Sequence, residues 1–179
     1  MVVAAPPDRC SSSELGPASA AQSQCGKSAF GRQDERVAID DELRSRRVWV
    51  RGPDGDAQWN LAVSRDPARN WTLELSRESP AQKFAATEWG CFGALTELRR
   101  HLDSEGLLIG VNGARRNASV SGMLNDMAEG TVVYLLALGA RREQRPPTAN
   151  TLDPAALSDV TSVDDQAAFK AEWLKERLA

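Results

Sequence analysis

The chain has 179 residues, 41% of them hydrophobic, and 22 Lys and Arg against 25 Asp and Glu leave a net charge of -3. That length suits one domain with an appendage. A mean hydropathy of -0.43 argues against an integral membrane protein, since the longest apolar run, Thr131–Leu138, falls far short of the ~20 residues a spanning helix needs. The near-balanced charge argues against nucleic acid as the partner, because a binder of phosphate backbones carries a basic surface.

Residues 1–36 hold four positive and four negative charges among Ser, Ala, Gly, Pro and Gln, with few large apolar side chains. Such a stretch cannot bury enough surface to offset ~1–2 kcal/mol of ordering entropy per residue, and disorder is expected. The start of the chain shows no basic segment followed by an apolar one. Export is therefore not expected, and the cytoplasm is the expected compartment. Three cysteines (Cys10, Cys25 and Cys91) are too few and too scattered for a disulfide framework.

Residues 37–179 read as one α+β domain. Val48-Trp-Val50 is followed by the turn Gly52-Pro-Asp-Gly55, then by Trp59-Asn-Leu-Ala-Val63, where large apolar residues alternate. Asp66–Asn70 makes a second turn before Trp71-Thr-Leu-Glu-Leu75 alternates again. Period-2 patterns between Gly, Pro and Asn turns predict a three-stranded antiparallel meander with one apolar face. After a connector containing Ser79-Pro80, Phe92, Leu95, Leu98 and Leu102 recur at helical spacing, with Arg99 and Arg100 among the polar remainder, and Gly106 supplies a helix stop. Leu107–Val111 and Thr131–Leu138 predict two further strands. Arg141–Asn150 reads as a linker, and Asp153-Pro154 as the start of a short helix. Ser162-Val-Asp-Asp165 resembles a capping box, opening a last helix with Phe169, Trp173 and Leu174 on one stripe. The helices of the extension, about 151–179, and the central helix are expected on one face of the sheet.

Few residues suggest chemistry. Gly26-Lys-Ser28 lacks the glycine five positions earlier that a phosphate-binding loop requires, since Ala21 stands there. His101 is the only histidine, and no Cys-x-x-Cys pair exists, so neither a metal site nor a cofactor is expected. His101 reads as a helix-end residue. Cys91 could be activated by a helix N-terminus, but a free cysteine is more often a small buried hydrophobe. No catalytic residue is assigned.

Two places suggest binding. Trp49 sits on the opposite side of its strand from Val48 and Val50, and it is either an exposed anchor or a residue covered by the terminal helix. Between the last two predicted strands lies the polar insertion Asn112–Gly130. Its Asn112, Arg115, Arg116, Ser121 and Asp126 could form a ligand or partner loop, with the arginines taking a carboxylate or phosphate. Ordinary turn chemistry and solvated arginines explain the same residues.

The run Phe92–Arg100, then Leu107-Leu-Ile-Gly-Val-Asn-Gly-Ala-Arg-Arg116, Ser121-Gly-Met123 and Val132-Val-Tyr-Leu135 resembles a family of small uncharacterised bacterial proteins. That family shares an Asn-Gly-Ala-Arg strand end and a Ser-Gly-Met turn. The similarity spans about Trp71 to Trp173. The chain departs from the pattern at Val120 and at Ala128-Glu-Gly130, where a proline and a glycine run are expected. No established activity attaches to the family, so the resemblance implies domain boundaries alone.

The expectation from sequence is therefore a non-enzymatic protein-interaction domain, immunity-like or regulatory, with a protein partner. The alternative is a small-ligand or anion-binding protein, or an enzyme, using the Asn112–Asp126 loop. A third reading, nucleic-acid binding through Arg44, Arg46, Arg47 and Arg51, is opposed by Asp40, Asp41 and Glu42 just upstream.

Overall fold

The computed structural model describes residues 44–141 and 143–178. The expected disordered segment, Cys10, Cys25 and Gly26-Lys-Ser28 lie outside them. The alternating runs form β1 (Arg44–Gly52), β2 (Gly55–Arg65) and β3 (Asn70–Arg77), paired antiparallel in sequence order. A fourth strand, β4 (Gln82–Trp89), continues the meander where the sequence suggested only a connector. Its core-facing positions are Phe84 and the small Ala86, so no second large apolar residue marks an alternation.

The inner face of the sheet is built from Val48, Val50, Trp59, Leu61, Val63, Leu73 and Leu75, all buried. Helix α1 (Cys91–Ser104) lies against it with Cys91, Ala94, Leu95, Leu98 and Leu102 buried. Each fully buried aliphatic side chain is worth roughly 1.5–3 kcal/mol, so this interface forms the centre of the fold. Gly106 takes the left-handed conformation expected beyond the helix end, at φ 69°.

The predicted strand Leu107–Val111 shrinks to β5 (Leu108–Ile109), which joins the sheet beside β1 and gives the order β4-β3-β2-β1-β5. A second sheet, in the order β6-β7-β8, holds β6 (Ala118–Ser119), β7 (Val132–Leu135) and β8 (Thr148–Asn150). The predicted strand Thr131–Leu138 is thus four residues long, and the end of the expected linker is a strand.

No helix forms at Asp153-Pro154. Asp153 accepts the side-chain amide of Asn150 (2.9 Å) and lies 3.5 Å from Arg46, so it caps nothing. The segment runs instead beside residues 110–112, just beyond β5: Asn112 N donates to Asp153 O (2.9 Å) and Ala155 N to Gly110 O (3.0 Å). The last helix, α3 (Val163–Leu178), begins as expected, with Ser162 Oγ accepting from Asp165 N. Its Phe169 is buried, Trp173 is half-buried and Leu174 is exposed. This helix packs against α1, and its first N–H donates to the Asp103 carboxylate (2.8 Å).

Candidate functional site

The insertion Asn112–Gly130 folds as a 3-10 turn (Asn112–Ala114), β6, and helix α2 (Gly122–Ala128). This divides the sequence-nominated residues into two groups. Asn112, Arg115 and Arg116 face the returning segment 150–169. Ser121 and Asp126 lie beyond β6, the serine at the N-cap of α2 and the aspartate within it.

In the first group each side chain touches another part of the protein, while Arg115 Nε is buried with no hydrogen-bond partner among the described residues. Asn112 donates its side-chain amide to Asn150 O (3.2 Å). Arg115 pairs with Asp159 at 3.2 Å. Arg116 lies over the Phe169 ring, 5.1 Å from its centre. Gly113 is there for room rather than for a turn, since an added Cβ would stand 2.5 Å from Leu95 and 2.7 Å from Thr151. In the second group Ser121 Oγ caps α2 by accepting from Leu124 N (3.1 Å), and Asp126 is exposed between Met123 and Met127, themselves 76% and 79% exposed.

Behind the first group stands a buried polar node that the sequence did not reveal. Arg99, assigned to the charged remainder of α1, is 2% exposed. It donates to Gln166 Oε1 (2.8 Å), Thr161 O (2.7 Å) and Gly113 O (3.3 Å). Gln166 in turn donates to Gly113 O (3.0 Å) and Arg115 O (2.6 Å). Burial lowers the pKa of Arg99 to about 10, partly opposed by Asp103. Its neighbours at hydrogen-bond distance are uncharged, so it acts as a clamp on backbone carbonyls. The sequence signal was faint: Arg99 follows Leu98 and occupies the edge of the apolar stripe.

A second node joins α2 to the sheet. Glu129, left-handed at φ 48°, accepts two hydrogen bonds from Arg65 (2.6 and 2.7 Å) and one from Trp71 Nε1 (3.1 Å), with Arg69 at 3.4 Å. The Arg65 hydrogen bonds hold its carboxyl below the usual range, helped by Trp71 and against partial desolvation. Its backbone carbonyl accepts from Cys91 N (2.6 Å), satisfying a donor at the start of α1, where Gly90 offers no side-chain cap.

Cys91 is 1% exposed, and burial pushes its thiol up to about 12. A neutral, enclosed thiol is a packing residue. His101 lies 3.9 Å from Glu97 on the exposed side of α1. Among the described residues no group of three His, Cys, Asp or Glu side chains could hold a metal ion, and no helix is long and apolar enough to cross a membrane.

Trp49 is 49% exposed. The terminal helix does not cover it, because α3 packs on α1 against the inner face, whereas Trp49 alternates to the outer one. On that face it stands between Arg47 and Arg51 of β1 and opposite Gln58 of β2. Arg51 is paired with Asp56 at 3.0 Å. No protein-family model matches the chain, and no curated protein matches it.

Proposed function

We propose that the protein is a non-enzymatic binding module of immunity-like or regulatory type that takes another protein on the outer face of its main sheet, with Trp49 as the anchor. The observation that carries this reading is the half-exposed indole of Trp49 on the polar outer face of the sheet, flanked by Arg47 and Arg51. Tryptophan and arginine dominate the binding energy of protein interfaces, because a large rigid ring and a planar cation bury much area at low entropic cost. The loop supports the same reading from the other side: Asn112 donates to Asn150 O, Arg115 pairs with Asp159, Arg116 lies over Phe169 and Ser121 caps α2.

The test is affinity capture from host lysate with the full chain, its Trp49→Ala variant and its Arg115→Ala/Arg116→Ala variant. Any recovered protein is then purified and titrated calorimetrically against each. The expected result is a partner whose affinity falls by about 2 kcal/mol or more in Trp49→Ala, the size of a hot-spot loss. A metabolite recovered alone and lost with the arginines would overturn the reading in favour of a ligand loop. A partner indifferent to Trp49 would overturn the assigned surface.

A further inference from the structure

The main sheet treats its two edges differently. Just past β5, the chain covers its own edge: Val111 bridges Pro154, and Pro154 has no N–H to offer a further strand. At the other end, β4 pairs with β3 over all eight of its residues, Gln82–Trp89, and among the described residues no strand lies along its outer edge. An open edge of this length and regularity is a template for another strand.

We propose that a second copy of this chain occupies that edge, β4 against β4 and antiparallel, so that two sheets become one continuous sheet. The side chains select the register. A two-fold axis perpendicular to the sheet keeps each face on its own side, so residues paired across it must be an even number of positions apart. Centred on Ala86, the axis sets Lys83 opposite Trp89 of the partner subunit, Ala85 opposite Thr87, and Phe84 opposite Glu88. Lys83 and Trp89 are both available for this, with the lysine side chain 63% exposed and the tryptophan 38% exposed.

An ammonium over an indole is a favourable pair, and the Glu74 carboxylate, 2.8 Å from Lys83, stays on the lysine's other side. No like charges meet, and the residues between them on that face, Ala85 and Thr87, are small. Shifting the axis to Ala85 or to Thr87 removes the lysine–tryptophan pairing. The complementarity is that of a strand with itself, which is why the occupant is a second copy. It rests on β4 alone and is separate from the Trp49 surface.

The experiment is sedimentation equilibrium of the full chain, wild type beside Trp89→Lys and the double variant Lys83→Glu/Trp89→Lys, with circular dichroism to verify that each is folded. The wild type is expected to show a concentration-dependent monomer–dimer equilibrium. Trp89→Lys sets lysine against lysine twice per dimer and should weaken association about tenfold. The double variant sets glutamate against lysine and should restore most of that loss. Within one chain the two positions lie at opposite ends of β4, so rescue reports contact between chains. A wild type monomeric up to about 1 mM, the weak limit of specific association, would overturn the proposal. So would a dimer indifferent to Trp89→Lys, or one that the double variant fails to rescue.

Discussion

Arg99 of α1 and Gln166 of α3 meet at 2.8 Å in the interior, and together they bind the carbonyls of Gly113, Arg115 and Thr161. Two helices and the chain between them are thus fixed by two side chains. Helix α3 buries little else besides Phe169, so its attachment depends on this node more than on apolar area.

Arg99→Ala should cost about 3–5 kcal/mol, the range found when one partner of a buried polar cluster is removed and the other groups are left dry. Arg99→Lys should recover less than half, because an ammonium cannot span Gln166 and two carbonyls as the planar guanidinium does. Urea unfolding of each variant measures the loss. Hydrogen exchange should show α3 opening first, while the β1–β3 meander stays protected.

The Glu129 node predicts an acid-sensitive junction. A carboxyl with a lowered folded pKa contributes stability that is complete above its unfolded value, near 4.3, and is lost as pH falls through the lower folded value. Glu129→Gln should cost about 1–2 kcal/mol at pH 7, the worth of charge-assisted bonds at a partly exposed site. The difference between wild type and variant should shrink toward pH 3. Thermal melts from pH 3 to pH 7 read it directly.

Gly130 is held at φ 68°, and a Cβ there would stand 2.6 Å from Phe92 N. Gly130→Ala therefore combines an unfavourable backbone conformation with a clash against main chain that cannot swing aside. A loss of about 2–4 kcal/mol is expected. Gly122, with nothing within 4 Å of the same added atom, is the control. Alanine at position 122 should change stability by less than about 0.5 kcal/mol.

Cys91 should resist alkylation in the native protein. Its thiol, raised to about 12 by burial, is neutral at pH 8, and the thiolate is the reactive form. Peptide mapping after iodoacetamide treatment should find Cys91 labelled only at the rate of unfolding. Fast labelling in the native state would show that the site opens.

The meander from Val48 to Leu75, α1 and α3 could be read from the chain because each repeats a local period. Large residues alternate along Trp59–Val63 and Trp71–Leu75, and recur every three or four positions from Phe92 to Leu102. Position along such a repeat fixes which side chains share a face, whatever lies opposite. The outward side of Trp49 followed from the same parity, since Val48 and Val50 claim the core.

What the sequence could not supply were features set by neighbours remote in the chain. Strand β4 carries only Phe84 and Ala86 toward the core, and it exists because the edge of β3 offers it hydrogen bonds. Asp153-Pro154 has the local chemistry of a helix start, yet Gly110 and Asn112 present backbone groups that draw the segment along the sheet. Arg99 looks like a surface charge until Gln166, 67 positions away, brings it an acceptor and closes the interior over it. Local pattern encoded the repeating elements, whereas partners for unpaired polar groups exist only once distant segments have packed.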